Sequence, residues 1–202
     1  MTRFEQLVRA KTAVFCAISE QQASILERHY ELLVRWNRVL NLTSVREVEE
    51  VVTRHYAESL FLASQLPEGV GSLMDLGSGA GFPGIAIAVM RPQCRVTLVE
   101  SHKRKAVFLR EVSRSLPRVR VVAERAEMVG ETFEWLVSRA VSATDVQRFV
   151  PALAPNLGLL LAREDADKLL KEGRLDYDQP VPMPWNERNV VLLGHYVPRE
   201  TC

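Results

Sequence analysis

Cysteine is scarce in this chain, and long apolar segments are absent. Of 202 residues, only Cys16, Cys94 and Cys202 carry a thiol, and no two of them form a C-x-x-C pair. An odd number of widely spaced cysteines argues against a disulfide framework or a zinc site and predicts a reducing compartment. No run reaches the roughly 20 apolar residues that a membrane-spanning helix needs, and the first residues lack the apolar core of a secretory signal peptide. We therefore expect a cytoplasmic protein with no membrane anchor and no bound metal.

Net charge is scarce too, at +1, so the composition alone gives no sign of a polyanionic partner. The distribution is uneven, however, because residues 101–125 hold eight basic and only two acidic side chains. Three of these bases, Lys103, Arg104 and Lys105, lie where a helix is predicted to begin, and the helix dipole disfavours cations there. A local basic face is typical of proteins that bind polyanions, although a solvated helix face accounts for a charge run as well.

Glycine, by contrast, is concentrated in one segment. Residues 74–84 read Met-Asp-Leu-Gly-Ser-Gly-Ala-Gly-Phe-Pro-Gly, after an apolar run and before the apolar segment 85–90. The pattern predicts a strand, a tight loop and a helix, in which the glycines let the backbone approach a ligand closely. The first N–H groups of the helix would face polar ligand atoms, and Pro83 suits a first helical position.

The loop fits two classes of nucleotide site. Gly79, Gly81 and Gly84 match the G-x-G-x-x-G pattern of dinucleotide-binding enzymes. Both classes place a carboxylate at the end of the next strand, about 20 residues on, to bind ribose hydroxyls, and Glu100 takes that position. Asp75 separates the classes, because Asp-x-Gly-x-Gly-x-Gly resembles motif I of class I S-adenosylmethionine-dependent methyltransferases, whereas dinucleotide loops usually have an apolar residue there. We favour the methyltransferase and keep an NAD-dependent oxidoreductase open.

Apolar periodicity divides the chain into two regions. Residues 1–66 have helical spacing, with a capping box at Ser19–Gln22 and a second helix from about 47 to 66, and a turn cluster follows at 67–71. From residue 72 strands and helices alternate, which predicts a doubly wound α/β fold: a mostly parallel, Rossmann-like sheet of a class I methyltransferase, with an antiparallel C-terminal edge. The predicted strands are 72–76, 95–100, 119–123, 135–138, 158–162 and 189–197, and the helices are 84–90, 103–116, 145–154 and 165–172. We thus predict an N-terminal helical extension, 1–66, and an S-adenosylmethionine-binding domain, 67–202.

The residues after the third and fourth strands lie at the predicted ligand edge. Ser138-Arg139-Ala140 follows the fourth strand, where amino-group methyltransferases typically have Asn or Asp, two prolines and an aromatic residue. An arginine suits another task, such as holding a carboxylate, a phosphate or a base edge, or it pairs with a structural acid. Ala126-Glu127 follows the third strand, where methyltransferases of this class contact adenine, although Glu127 could equally be a favourable charge at a helix N-terminus.

Several short motifs together resemble the RsmG/GidB family, bacterial methyltransferases that modify guanine N7 in 16S ribosomal RNA. The resemblance covers about residues 26–195, and its most specific parts are the glycine segment with its Pro-Gly ending and the Ser-Arg-Ala triplet. The other matching motifs are Trp36-Asn37, Asn41-Leu-Thr-Ser44, Arg54-His55, Glu100-Ser101, Phe108-Leu-Arg110 and Glu187-Arg188. Two positions depart from the family pattern: Glu58-Ser59 replaces Asp-Ser, and Ala162-Arg163-Glu164 stands where a lysine-glycine pair is usual.

The resemblance implies S-adenosylmethionine as cofactor, 16S rRNA or the small ribosomal subunit as partner, and a target guanosine in the decoding-region loop. The predicted cofactor contacts are Asp75, Gly77, Ser78, Gly79, Phe82, Glu100, Ser101, Ala126, Glu127 and Arg139. Arg139 and Arg188 are the predicted catalytic residues, and Asn41, His55, Lys103, Arg104, Lys105 and Arg110 are the predicted RNA contacts. Guanine N7 has a free lone pair, so no general base is expected. Nothing in the sequence demands more than a monomer.

Three other functions stay open from the sequence. A methyltransferase with a small-molecule or protein substrate would not need the basic segment 101–125. An NAD-dependent oxidoreductase would change the fluorescence of NADH on binding it. A non-catalytic RNA-binding or nucleotide-sensing module would have lost motif residues, yet Asp75, Gly77, Gly79, Glu100 and Arg139 are intact.

Overall fold

The N-terminal region consists of helices, as predicted. A computed structural model describes residues 1–139 and 141–198, so Ala140 of the Ser-Arg-Ala triplet and Cys202 lie outside the described residues. Helix α1 is Arg3–Thr12 and α2 is Glu20–Leu40, and the predicted Ser19–Gln22 capping box begins α2. The next helical segment runs without a break through α3 (Val48–Val51), a π-helix (Val52–Ala57) and α4 (Glu58–Gln65).

The rest of the chain alternates between strands and helices and confirms the predicted α/β fold. The strands are β1 Ser72–Leu76, β2 Arg95–Val99, β3 Val119–Val122, β4 Trp135–Arg139, β5 Asn156–Ala162, β6 Asp176–Tyr177, β7 Val181–Met183 and β8 Asn186–His195. The helices are α5 Gly84–Met90, α6 Lys103–Val112, α7 Ala143–Gln147 and α8 Arg163–Glu172, with a 3-10 helix at Ala126–Met128.

The strands form one eight-stranded sheet in the order β3-β2-β1-β4-β5-β8-β6, with β7 also paired to β8. Strands β1 to β5 are mutually parallel, and β8 runs antiparallel to β5, β6 and β7. The strand order reverses at β1, which has β2 on one side and β4 on the other. Ligands of doubly wound sheets bind in the crevice at such a switch point, at the carboxyl ends of the strands.

The N-terminal helices share a hydrophobic core with the sheet. Phe4, Leu26 and Tyr56 belong to the same buried cluster as Ile85 and Leu109, and each such burial contributes about 1.5–3 kcal/mol. The predicted boundary at 66/67 falls in the turn between α4 and β1, and the division into two domains stays a prediction. No helix of the described ranges is long and apolar enough to cross a membrane.

Two helices end earlier than the apolar periodicity predicts. Helix α6 stops at Val112 rather than at 116, because Ser113 Oγ donates to the Leu109 carbonyl at 2.7 Å and Pro117 prevents continuation. Helix α7 covers residues 143–147, whereas the predicted helix ran from 145 to 154; it ends early since Pro151 lacks the N–H that a helix interior requires. Both helices still begin near the carboxyl edge of the sheet.

Candidate functional site

The glycine loop joins the carboxyl end of β1 to the start of α5. Gly77, Gly79 and Gly81 have φ angles of 72°, 53° and 89°, which lie in the left-handed region that favours glycine. The backbone N–H groups of Gly77 and Ser78 both donate to the Val99 carbonyl, at 2.9 and 3.1 Å. The loop is therefore fixed against the end of β2.

One side of this loop is open and lies beside a buried carboxylate. The Gly79 N–H donates to Glu100 Oε2 at 2.9 Å, and the His102 N–H donates to Glu100 Oε1 at 2.8 Å. A Cβ built on Gly79 would meet only the Gly77 carbonyl oxygen, 3.7 Å away, among the described residues. Each Glu100 oxygen keeps a lone pair for a further donor, so this position can hold a ligand with hydroxyl groups.

Asp75 lies beneath the loop and is fully buried. Its Oδ2 accepts a hydrogen bond from the Gly84 N–H at 3.0 Å, and its Oδ1 has no partner among residues 1–139 and 141–198. Burial raises the pKa of this carboxyl to about 7, and the charge of Glu100 adds to the rise. A Cβ on Gly84 would lie 2.6 Å from Asp75 Oδ2, so only glycine allows α5 to approach this closely.

Phe82 belongs to an aromatic cluster that the N-terminal helices complete. Its ring stacks on His55, with 5.1 Å between centroids, and meets His29 and Tyr56 edge-on. His29 Nε2 lies 3.0 Å from the Ala80 carbonyl, which can only accept, so Nε2 donates and Nδ1 accepts from the Tyr56 hydroxyl at 2.6 Å. Helix α2 and the π-helix thus hold the glycine loop from behind.

These buried groups give the protein a defined pH dependence of stability. Burial lowers the pKa of His29 to about 4 and that of His55 to about 3. Between pH 6.5 and 4 the unfolded chain binds protons at these histidines that the folded chain excludes, so stability falls as pH falls. Asp75 acts in the opposite direction, because its raised pKa lets the folded state hold a proton that the unfolded state has released.

Variants separate these contributions. As pH falls from 6.5 to 4.5, the free energy of unfolding should decrease more steeply in Asp75→Asn than in the wild type. It should decrease less steeply in His29→Gln. Each change in slope should be up to about 1.4 kcal/mol per pH unit. Urea unfolding at several pH values measures both slopes. Identical slopes in wild type and both variants would contradict the assignment of buried neutral groups at these positions.

Arg139 ends β4 beside the glycine loop. Its neighbour Ser138 pairs with Leu76, the last residue of β1. Arg139 Nη1 lies 3.1 Å from His55 Nδ1 and donates to it, and Nη2 forms an ion pair with Glu58 Oε2 at 3.5 Å. Burial raises the pKa of Glu58 and lowers that of Arg139, while the partner's charge opposes each shift. The Arg139 side chain thus pairs with a buried acid and remains 17% exposed at the carboxyl end of β4.

The other predicted cofactor residues surround the same edge with fewer contacts. Ser78 Oγ donates to the Asp75 carbonyl in β1 at 2.9 Å, and Ser101 is exposed directly after β2. Ala126 is buried in the 3-10 helix after β3, whereas Glu127 is exposed and forms an ion pair with Arg148. Roles for these residues in cofactor binding stay predictions.

Most of the predicted RNA contacts form an exposed basic surface. Lys103, Arg104 and Arg110 are exposed on α6 and Lys105 is half-buried, and α6 does begin at Lys103, where the helix dipole is unfavourable for cations. Asn41 is exposed at the end of α2 in a left-handed conformation, with φ of 48°. This surface adjoins the carboxyl end of β2, and its contact with RNA stays a prediction.

The other two predicted residues, His55 and Arg188, are not part of the basic surface on α6. His55 is turned inward: its Nε2–H donates to Thr43 Oγ1 at 2.7 Å, while Nδ1 accepts from Arg139. Arg188 is exposed near the start of β8, and its N–H donates to Asn186 Oδ1 at 2.9 Å. Because the next residue, Asn189, pairs with Ala162 at the end of β5, Arg188 lies at the carboxyl edge beyond β5.

Sequence reasoning missed four residues that build the site. Glu58 and Asn189 contact each other at 3.1 Å, and His29 and Tyr56 anchor the loop. A charged residue within the apolar run of α4 was a signal for Glu58, and His29 lies three residues after the inward-facing Leu26. Within residues 1–139 and 141–198, no group of three or more His, Cys, Asp or Glu side chains could hold a metal ion.

Structures of known methyltransferases share this fold. An S-adenosylmethionine-dependent methyltransferase from Aquifex aeolicus superposes with a TM-score of 0.58 over 73% of this chain and 93% of its own, at 12% identity. A predicted O-methyltransferase from Agrobacterium tumefaciens superposes with a TM-score of 0.54 over 68% and 79%, at 20% identity. At these identities the likeness shows the fold alone.

Sequence comparison is more specific. Ribosomal RNA small subunit methyltransferase G of Xanthomonas campestris pv. campestris (strain B100) is 47% identical over 187 residues, which cover 85% of this chain and 86% of the relative. The protein of that name from Chromobacterium violaceum is 35% identical over 83% of this chain and 78% of its own. The profile of the family described as "GidB: rRNA small subunit methyltransferase G" matches residues 22–164. This chain therefore belongs to the GidB family, rRNA small subunit methyltransferase G.

Proposed function

We propose that this protein transfers a methyl group from S-adenosylmethionine to N7 of one guanosine in the decoding-region loop of 16S rRNA. One observation supports this proposal most strongly: the glycine loop, Glu100 and Arg139 lie at the same edge of the sheet, in a member of this family. A dinucleotide oxidoreductase is not favoured, because the relatives that match most of this chain are named methyltransferases. A monomeric state and a cytoplasmic location are part of the proposal.

The residues at the loop fit S-adenosylmethionine. The space beside Gly79 is open, with only the Gly77 carbonyl oxygen, 3.7 Å away, near an added Cβ among the described residues, so a ligand can approach the backbone there. Glu100 would accept hydrogen bonds from the ribose hydroxyls, and Asp75 would lie on the side of the amino acid portion. Ala126 and Glu127 would flank the adenine, and Phe82 supports the loop from the aromatic cluster. When bound, the cofactor supplies an electrophilic methyl group on a sulfonium.

The protein's side chains would contribute to the reaction by positioning the guanine and by placing charged groups beside it. Guanine N7 is unprotonated in the neutral base, so no side chain has to remove a proton. Holding N7 in line at near-attack distance contributes up to about 7–11 kcal/mol in favourable systems. Arg139 would hold the guanine O6 edge or an adjacent phosphate, since guanidinium groups donate in a planar fork that suits both. Arg188 would act farther out along the same edge.

The basic surface on α6 would bind the RNA backbone around a splayed base, which is how proteins commonly recognise single-stranded loops. A plot of log(kcat/KM) for methyl transfer against log[salt] should then be a straight line with a negative slope. We expect the triple variant Lys103→Glu, Arg104→Glu and Lys105→Glu to reduce the magnitude of that slope by at least about 2, at roughly 0.7 per phosphate contact.

A matched control is Lys171→Glu, which reverses an exposed base on α8 and should leave the slope unchanged. A salt response that is flat in the wild type, or identical in the triple variant, would contradict RNA contact by this surface.

The test of the reaction itself is transfer of a tritiated methyl group to purified 16S and 23S rRNA from cells that lack the enzyme. Digestion to nucleosides should yield labelled 7-methylguanosine from 16S rRNA alone. Label in another nucleoside would overturn the N7 assignment. Equal labelling of both RNAs, or label only in a protein or small molecule of an added extract, would overturn the substrate.

A further inference from the structure

We propose that Glu58 is a positioning residue: fixed by Asn189, it holds the Arg139 guanidinium toward the methyl-transfer site. The inference rests on the proposed function for its effect on activity. Its structural part, the immobilisation of Arg139 by Glu58, can be tested separately.

Two residues of one helical segment, His55 and Glu58, contact the two terminal nitrogens of the Arg139 guanidinium. Nη1 donates to His55 Nδ1 at 3.1 Å, and Nη2 pairs with Glu58 Oε2 at 3.5 Å. His55 is in turn fixed by Thr43 and by stacking on Phe82. An arginine with several rotatable bonds is thereby restricted in both its direction and its plane.

Glu58 is itself fixed by a residue of the C-terminal strand, Asn189. Its second oxygen, Oε1, accepts a hydrogen bond from Asn189 Nδ2 at 3.1 Å. Asn189 lies in β8 and pairs with Ala162 at the end of β5. The contacts therefore run from β8 through Glu58 and Arg139 to His55 and Thr43, and they join the C-terminal strand, the sheet edge and the N-terminal helices.

This pair differs from the other ion pairs of the described chain in its burial. The Glu58 side chain is 6% exposed and that of Arg139 is 17% exposed, whereas the Glu50 and Arg54 side chains, which pair nearby, are 50% and 54% exposed. Buried ion pairs often stabilise no better than apolar residues of the same size. Stability alone therefore does not explain the charge at position 58. The orientation of Arg139 at the ligand edge does explain it.

Arg139 and Glu58 both border one small cavity at the carboxyl edge of the sheet. Glu58, Arg139 and Asn189 line one small cavity of about 140 Å³ together with Leu160, Met183 and Arg54. This cavity opens at the carboxyl edge, beyond the end of β5. Without Glu58, the guanidinium would keep only the contact of Nη1 with His55 and could rotate into other orientations at this edge.

The test compares Glu58→Gln, which keeps the size and removes the charge, with Glu58→Asp, which keeps the charge on a shorter side chain. Single-turnover transfer of tritiated methyl to 16S rRNA measures the rate, and side-chain NMR of the arginine Nη groups measures whether Arg139 is immobilised. Glu50→Gln, in the exposed pair with Arg54, is the matched control.

We expect Glu58→Gln to slow transfer by about 10–100-fold, since a displacement of about 1 Å at a reacting centre can cost about 100-fold. The resolved Nη signals of Arg139 should coalesce as the group begins to rotate, while KM for S-adenosylmethionine changes less than the rate. Glu58→Asp should recover part of the rate, and Asn189→Ala should show a weaker form of the same defect. Glu50→Gln should match the wild type.

A double-mutant cycle with Arg139→Lys separates positioning from a structural role. If Glu58 acts through Arg139, Glu58→Gln should cost much less in the Arg139→Lys background than alone. Multiplying effects, or an unchanged Arg139 NMR signature in Glu58→Gln, would overturn the proposal. If 16S rRNA accepts no methyl group, the proposed function fails, but the NMR experiment still decides whether Glu58 immobilises Arg139.

Discussion

Replacing Arg139 with alanine is expected to lower the rate of methyl transfer by about 10²–10³-fold, the usual cost of losing one preorganised donor in an active site. The reason is geometric: Arg139 ends β4 next to the last residue of β1, where the glycine loop begins. Its side chain is 17% exposed and is held there by the buried acid Glu58. Single-turnover transfer to 16S rRNA measures the effect.

The loss of the guanidinium also leaves Glu58 buried without its cation, so thermal stability should fall, as buried pairs cost several kcal/mol when one partner is removed. Circular dichroism at 25 °C should nevertheless show a folded protein, since Asn189 still donates to Glu58 and the acid can take up a proton. Arg95→Ala, an exposed arginine at the opposite edge of the sheet, is the matched control. A wild-type rate in Arg139→Ala would contradict the role proposed for Arg139.

Filling the space at Gly79 is expected to abolish cofactor binding. Gly79→Leu would place a side chain where an added Cβ has no neighbour closer than 3.7 Å among the described residues, beside the carboxylate of Glu100. We expect the Kd for S-adenosylmethionine to rise by at least about a hundredfold, or about 2.7 kcal/mol. Isothermal titration calorimetry with the purified protein measures this change.

Gly69→Leu is the matched control for backbone strain. Gly69 also has a positive φ, 79°, and an added Cβ there has open space with no described atom within 4 Å, but Gly69 lies in the turn before β1. Both variants should lose about 1–2 kcal/mol of stability for a side chain in a left-handed conformation, and only Gly79→Leu should lose the cofactor. Equal affinities for S-adenosylmethionine would show that the open side of the loop is not the binding site.

The sheet and the loop could be predicted from the sequence because their signals are local. The bounds of β1 and α5 agree with the prediction, since the apolar strand, the glycines and Pro83 lie next to one another in the chain. The placement of Glu100 and Arg139 at this edge was predicted by the same reasoning, because the carboxyl ends of parallel strands meet at one edge; their roles stay predictions. In these cases short sequence spacing determines spatial position.

The contacts behind the site could not be predicted, because they join residues far apart in sequence. Arg139 meets His55 across 84 positions, and Asn189 meets Glu58 across 131. Helical periodicity indicates which face of a helix is buried, but not which strand end that face will meet. It also does not predict the π-helix at 52–57, which interrupts a segment that reads as one regular helix.

The most direct test of the central claim is the position of the methyl group in the RNA. The protein would be incubated with labelled S-adenosylmethionine and either small subunits or naked 16S rRNA from cells that lack it, and strand cleavage at N7-methylguanine would then be mapped. The proposed function predicts cleavage at one guanosine, in the decoding-region loop, in at least one of the two substrates. Cleavage at many guanosines, at one elsewhere, or at none despite measured cofactor binding would contradict it.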